Sequence, residues 1–124
     1  MRSRLLVALL LLLASPAFAD RTLRWSRLAV TAHLDADGRL HVQERHSIIF
    51  NGDWNGGERI FRKNVESELN VEGISRIDSS QRAIPLRYNK SLAHVDDYAW
   101  HDSNTLRWRS RLPTDPPFQN REIT

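Results

Sequence analysis

Residues 40–62 read LHVQERHSIIFNGDWNGGERIFR, and this stretch predicts the fold. Apolar side chains occupy every second position at its two ends, at Leu40, Val42, Ile48 and Phe50. A period of two is typical of a strand that buries one face. A corner rich in Gly, Asn and Asp follows, and then Ile60 and Phe61 resume the apolar pattern. The stretch therefore predicts a long strand, a tight loop with positive-φ residues or a close backbone approach, and a returning strand.

Glu44 and His46 fall on the same side of this strand as the apolar residues. A carboxylate that faces a protein interior costs free energy unless it is paired. The loop brings the chain back, and Arg59 on the returning strand is the nearest candidate partner of Glu44. We predict a structural ion pair between Glu44 and Arg59.

A second alternating stretch precedes the first. In residues 23–34 one face carries Leu28, Val30, Ala32 and Leu34, and the other is mostly polar. The sequence Asp35-Ala36-Asp37-Gly38 then provides an Asp at the start of a turn and a glycine where a positive φ is needed. These features predict an antiparallel β-hairpin that joins the two long strands.

Short strands continue to the end of the chain. The predicted strands cover residues 58–62, 74–78, 83–89, 92–100 and 106–112, with one helical turn over 64–69 and an edge strand marked by Pro85. Many short strands separated by turn signals are typical of a sandwich. We predict an all-β fold, specifically an antiparallel β-sandwich of the immunoglobulin-like kind, preceded by a helical signal peptide.

The N-terminal residues 1–19 are predicted to be that signal peptide. Arg2 and Arg4 precede an apolar run over residues 5–14, and Ala17-Phe18-Ala19 forms a cleavage site. The remaining residues 20–124 are predicted to be one extracytoplasmic domain. An alternation that begins at Arg121 stops at Thr124, which suggests a domain incomplete at its C-terminus.

Charge and cysteine content exclude several classes of function. Residues 1–19 hold two arginines and no acidic residue, so their removal lowers the net charge from +3 to +1. The remaining basic and acidic residues are interspersed, which does not suit a nucleic-acid-binding protein. The chain has no cysteine, which excludes thiolate–metal sites and cysteine nucleophiles.

Other groups of residues resemble metal-binding or catalytic sites, but an ordinary structural explanation fits each of them better. Asp35, Asp37 and Glu44 overlay part of a calcium-binding loop, but the flanking sequence lacks helical periodicity. His33 and His41 flank one hairpin near these aspartates, without an evident third ligand for zinc or copper. Acidic residues for a glycoside hydrolase are present, but no spacing selects a pair. We predict no metal, no cofactor and no catalytic residue.

The tryptophans suggest where a partner would bind. Trp25 and Trp108 lie in alternating stretches and are predicted to belong to the core or its rim. Trp54 lies in the polar loop and is predicted to be exposed, so Trp54 with Asp53 and Asn55 is the candidate partner-binding site. A carbohydrate-binding module would instead need Trp54, Trp100 and one tyrosine coplanar on an open face.

An ordered set of short motifs resembles a known family. The motifs are Asp37-Gly38-x-Leu40-x-Val42-x-Glu44, Phe50-x-Gly52, Asn55-Gly56-Gly57-x-Arg59, Trp108-Arg109-Ser110-Arg111-Leu112-Pro113 and Asp115-Pro116-Pro117-Phe118. Together they resemble the predicted membrane protein family called domain of unknown function 2207, over roughly residues 23–124. The resemblance implies an exported β-sandwich followed by transmembrane helices that this chain does not contain. It supplies no activity and no catalytic residues, and its inward Glu and returning Arg correspond to Glu44 and Arg59.

These inferences predict a periplasmic or otherwise extracytoplasmic domain that is membrane-anchored in the full-length protein. We expect a binding module for an unknown protein or envelope component, and not an enzyme. The alternatives are a hydrolase that acts on the cell wall or glycans, and a carbohydrate-binding module.

Overall fold

The computed structural model describes residues 20–124, which form nine strands and no helix. The strands are β1 (Thr22–Leu34), β2 (Leu40–Gly52), β3 (Gly56–Ile60), β4 (Ser75–Ile77), β5 (Ala83–Pro85), β6 (Arg87–Tyr88), β7 (Asp97–Trp100), β8 (Thr105–Arg109) and β9 (Phe118–Ile123). The predicted all-β class is therefore confirmed. The predicted signal peptide, residues 1–19, lies outside the described residues.

The strands form three sheets. The first has the order β1-β2-β9, the second β3-β8-β7-β6, and the third is the hairpin β4-β5. Every pair is antiparallel except β6 with β7, which is a parallel pair of two residues on each strand. The prediction of a purely antiparallel fold is wrong at that position. Residues 89–96 connect β6 to β7 and contain a turn in which the amide of Leu92 donates to the Asn89 carbonyl at 3.0 Å.

The predicted hairpin of β1 and β2 is confirmed. The two strands pair over their whole lengths, from Leu34 opposite Leu40 to Thr22 opposite Asn51, with one β-bulge at Ser26. At the turn, the amide of Gly38 donates to the Asp35 carbonyl at 3.0 Å, and Gly38 has a φ of 85°. A glycine is favoured at such a position because it has no Cβ to clash with its own backbone.

Other element boundaries differ from the prediction because tertiary contacts set them. Strand β3 starts at Gly56, two residues early, because Gly56 and Gly57 lie directly against Trp108 of β8, where any Cβ would collide. The predicted strand over 83–89 is divided at Leu86 into β5 and β6. The predicted helical turn over 64–69 is absent; the amide of Ser67 donates to the Asn64 carbonyl in an isolated turn.

The core is small and lies at the C-terminal end of β2, which we call the base of β2. Its buried apolar residues are Ile48, Phe50, Ala99 and Leu106. The Phe50 ring contacts the rings of Trp54 and Phe118, with centroids 6.5 Å and 5.5 Å away. The core thus joins β2 to β9 and to the loop after β2, while the other end of β2 contributes nothing to it.

Candidate functional site

The first candidate site is the distal part of the β1–β2 hairpin. Strand β9 pairs with β2 only over Ile48–Gly52. Between that segment and the β1–β2 turn, residues 27–46 form a two-stranded ribbon. Within the described part of the chain, its two strands pair only with each other. We call residues 27–46 the hairpin arm. A two-stranded ribbon has little stability of its own unless something packs against it.

One face of the hairpin arm is apolar and uncovered. Directly opposed residues of an antiparallel pair share a face, so the register places six apolar residues together: Leu28, Val30, Ala32 and Leu34 of β1 with Leu40 and Val42 of β2. The five larger of these residues are 52–64% exposed. We call these six residues the apolar face. The opposite face carries mainly polar residues, including Thr31, His33, His41 and Gln43.

Five of the six residues of the apolar face are more than half exposed. Single exposed apolar residues are normal on a monomer, but a group of them on one face usually marks a site of interaction. The exposed edge of the sheet and the projecting shape of the arm leave this face open to a large partner.

A polar network lies at the end of the apolar face nearest the core. Arg59 of β3 donates two hydrogen bonds to Glu44 of β2, from Nε to Oε2 and from Nη2 to Oε1, each at 2.8 Å. The ion pair expected from the sequence is thus present, although the two side chains remain 25% and 37% exposed. The Arg59 hydrogen bonds, with help from His46, lower the pKa of Glu44 from 4.5 to about 2 against the opposing effect of burial.

His46 extends this network to Trp25. The indole Nε1 of Trp25 donates to His46 Nδ1 at 3.3 Å, and His46 Nε2 lies 2.9 Å from Glu44 Oε2. An Nδ1 that accepts leaves the ring proton on Nε2, which donates to the carboxylate. Trp25 itself is 58% exposed. The prediction that Trp25 belongs to the core or its rim is therefore wrong: although Trp25 lies opposite the buried Ile48, it stands on β1, the edge strand of its sheet.

The loop predicted to bind a partner is largely occupied by contacts within the chain. Trp54 is half-buried, not exposed as predicted: it packs on Phe50, donates from Nε1 to the Thr22 carbonyl at 2.9 Å, and lies under the guanidinium of Arg21. Asp53 is exposed and lies 3.3 Å from the same Arg21. Trp54 and Asp53 therefore both contact Arg21.

Asn55, the third predicted binding residue, is held by Arg111. The Arg111 side chain is buried and donates from Nη2 to Asn55 Oδ1 and from Nε to the Trp54 carbonyl, each at 2.8 Å. Its Nη1 donates to the Asp115 carbonyl. Arg111 thus fastens the loop after β2 to the loop after β8. The sequence analysis did not predict this role, and it included Arg111 only as a residue of the motif at positions 108–111.

A second buried charge that sequence reasoning missed is Asp97, at the start of β7. Its carboxylate is 1% exposed and accepts hydrogen bonds from Arg87, from the side chain of Asn89 and from the amide of His94. Burial alone would raise the pKa of Asp97, but these three donors outweigh it and lower the pKa to about 2. The site organises the turn between β6 and β7. The available signal in the sequence was the closeness of four polar residues, Arg87, Asn89, His94 and Asp97, but only the fold shows that they contact one another.

Three residues considered for the enzymatic and carbohydrate-binding alternatives, Glu44, Trp54 and Trp100, are engaged in contacts within the chain. A general acid must hold a proton near neutral pH, whereas Glu44 is kept ionised by Arg59. Trp54 packs on Phe50, and Trp100 packs on Phe61 with an interplanar angle of 50°. These two tryptophans belong to separate ring pairs.

The residues considered for metal binding lie at the tip of the hairpin arm. His33 Nε2 lies 3.1 Å from Asp35 Oδ1, and His41 Nε2 lies 2.7 Å from Asp35 Oδ2. One carboxylate thus separates the two imidazoles. Asp37 pairs with Arg39, and Glu44 lies far along β2, so the calcium-loop residues do not converge. In residues 20–124 no group of three His, Asp or Glu side chains has the arrangement of a metal site.

An open groove of about 930 Å³ lies between β4, β9 and the loop after β8. Its walls carry both signs of charge, with Arg76, Arg111 and Arg121 beside Asp78, Asp115 and Glu122. Arg76 is already paired with Asp96 through two hydrogen bonds of 2.8 Å. The groove therefore offers no concentrated charge of one sign, and the apolar face is the stronger candidate site.

Comparison with protein-family models finds no match for this chain. Searches of curated proteins and of solved structures likewise find none. Among residues 20–124, no helix is long and apolar enough to cross a membrane. Function must therefore be inferred from the geometry of the chain itself.

Proposed function

We propose that this chain is an exported cell-envelope domain that acts as a binding module, with the apolar face of the hairpin arm as its binding surface. The single observation that carries the proposal is the exposure of five large apolar side chains on one face of a projecting ribbon. Burial of apolar area is the main source of affinity in protein association, at about 25 cal/mol per Å². A partner that covers this face would also stabilise the arm, which has little packing of its own.

The partner that best fits this surface is a protein with an apolar sheet face. Two sheets that pack face to face stack about 10 Å apart and interdigitate their inner side chains. A sheet docked on the apolar face would complete a β-sandwich. The immunoglobulin-like arrangement expected from the sequence is part of this proposal, with β1 and β2 in one layer.

Export and envelope location are supported by the sequence of residues 1–19, which has the charged start, apolar run and small-residue cleavage site of a signal peptide. The resemblance to domain of unknown function 2207 supports membrane attachment of the full-length protein. A domain displayed at the membrane in this way would present the hairpin arm to other envelope components.

The binding surface can be tested by photo-crosslinking from paired positions on the arm. Val42 lies on the apolar face and Gln43, its neighbour, lies on the opposite face. With a photoreactive amino acid at one position or the other, we expect covalent adducts from position 42 and few from position 43. Cells that produce the full-length protein would be irradiated, and the adducts resolved by mass.

Position 43 serves as the matched control because it is exposed on the same strand and differs only in the face it occupies. Equal yields from the two positions, or adducts only from position 43, would contradict the proposal. A parallel variant with the crosslinker in place of Asp53 tests the loop that the sequence favoured. Strong adducts from position 53 together with none from position 42 would move the binding surface to that loop.

A further inference from the structure

Over the segment Leu28–Leu34, the outer edge of β1 has none of the usual protection of an edge strand. Within residues 20–124, β1 pairs with β2 on one side and with no strand on the other. Its segment Leu28–Leu34, LAVTAHL, contains no Asp, Glu, Lys, Arg, Pro or Gly. Proteins usually blunt an exposed edge with charge, proline, a bulge or a very short strand. The bulge of β1 lies at Ser26, before this segment.

The turn determines which backbone groups point to this open edge. The amide of Asp35 donates to the Arg39 carbonyl at 2.8 Å, so Asp35 directs its backbone groups toward β2. Successive residues of a strand alternate in this direction, and the register is regular from Arg27 to Leu34. The four even-numbered residues consequently present their N–H and C=O groups to the open edge: Leu28, Val30, Ala32 and Leu34.

We propose that this edge pairs with the same edge of a second copy of the chain, antiparallel about a two-fold axis at Thr31. Such an interface is isologous, since the same patch serves on both copies. The four residues with outward backbone groups then bond one another, Val30 with Ala32 of the second copy and Leu28 with Leu34. This inference depends on the strand edge and not on the apolar face.

The side chains are self-complementary in this register. On one face apolar residues oppose apolar residues, and on the other face Arg27 lies opposite Asp35 of the second copy. Opposite charges across a strand pair are favourable, whereas like charges are unfavourable. A two-fold axis at Val30 would instead place Arg27 opposite His33. A slip by one residue would put apolar side chains on the polar face.

The pairing can be tested with one cysteine because the natural chain has none. Thr31 is exposed and lies on the polar face of the arm. On the axis, the two copies of residue 31 form a non-hydrogen-bonded pair with Cα atoms about 4.5 Å apart, which is within reach of a disulfide. We expect the purified Thr31→Cys chain, under mild oxidation, to lose its free-thiol monomer and become a disulfide-linked dimer of twice the mass.

His33→Cys is the matched control. Residue 33 is exposed on the same face of the same strand, but its two copies would lie about 13 Å apart in the proposed register. We expect this variant to stay largely monomeric under the same oxidation. Equal crosslinking of both variants, or none in Thr31→Cys, would overturn the proposal.

A second variant tests the backbone bonds directly. Ala32→Pro removes an N–H that points to the open edge and leaves the β1–β2 bonds intact. We expect light scattering to show twice the chain mass for the natural protein and the single-chain mass for Ala32→Pro, with unchanged strand content by circular dichroism. A natural protein that is monomeric, or an Ala32→Pro protein that remains dimeric, would contradict edge-to-edge pairing. A dimer formed face to face would persist in Ala32→Pro and would leave Thr31 pointing away from the interface.

Discussion

Replacing Phe50 by alanine is expected to lower the free energy of unfolding by about 3–5 kcal/mol, the usual cost of truncating a buried phenylalanine. Phe50 is 1% exposed and is the largest apolar side chain in a core of four such residues. Its loss would leave Trp54 and Phe118 without the ring that lies between them. Because a small domain has about 5–15 kcal/mol in total, this is a large fraction of the stability, and urea denaturation should show a clearly lowered midpoint.

Val42→Ala is the matched control for Phe50→Ala. Val42 lies on the same face of the same strand, but it is 52% exposed on the hairpin arm. Removing an exposed side chain usually changes stability by no more than about 0.5 kcal/mol. A loss at Val42 as large as the loss at Phe50 would show that the arm is covered in solution and that the core extends along the whole of β2.

Replacing Glu44 by alanine is expected to cost about 2 kcal/mol. Removing one partner of a fully buried ion pair costs about 3–5 kcal/mol, and an exposed pair is worth about 0–1 kcal/mol. The Glu44–Arg59 pair lies between these limits, since its two side chains are 25% and 37% exposed. Arg59, left alone, would still be solvated in part. The measurement is the urea midpoint of the single variants and of Glu44→Ala combined with Arg59→Ala.

The double variant distinguishes the pair from other effects of each side chain. If the two residues act mainly on each other, the double variant should be little less stable than either single variant. Strictly additive losses would contradict a direct interaction. An unchanged midpoint in Glu44→Ala would mean that the bidentate contact contributes nothing to stability.

The same ion pair gives stability a defined dependence on pH. The pKa of Glu44 is about 2 in the folded chain and 4.5 ordinarily, so its contribution is complete above pH 4.5 and is lost as the pH falls toward 2. The pKa of Asp97 is lowered from 3.8 to about 2 as well, so part of the loss in this range belongs to Asp97. The Glu44→Gln variant should therefore show a shallower fall than the natural chain between pH 4.5 and 2. Parallel curves would contradict the low pKa of Glu44.

Local sequence was sufficient to predict the hairpin and its turn. Alternation at Leu28–Leu34 and Leu40–Phe50 specifies which face of each strand is apolar, and Gly38 supplies the one residue that tolerates the positive φ of the turn. These features act between neighbours in the chain, so a pattern read along the chain reveals them. The pairing of Glu44 with Arg59 was also predictable, because the loop between them is short and the cost of an unpaired inward carboxylate is high.

Contacts between residues distant in sequence could not be predicted in the same way. Trp25 was predicted to belong to the core or its rim as a large aromatic residue in an alternating stretch, and Trp54 was predicted to be exposed because its loop is polar. In the fold Trp25 lies on the edge strand β1 and is exposed, and Trp54 is half-buried against Phe50. The burial of Arg111 depends on two loops that meet 56 residues apart along the chain. A local sequence pattern cannot predict a contact between residues so far apart.

The sequence by itself determined the all-β class, the β1–β2 hairpin and the apolar side of each of its strands, because alternation and turn chemistry are properties of adjacent residues. The tertiary structure alone decided how much of that apolar side is covered. Strand β9 reaches β2 only at Ile48–Gly52, so the same periodic pattern is core at one end of the strand and open surface at the other. Burial depends on which other elements pack against the strand, and the pattern along one strand does not specify those elements.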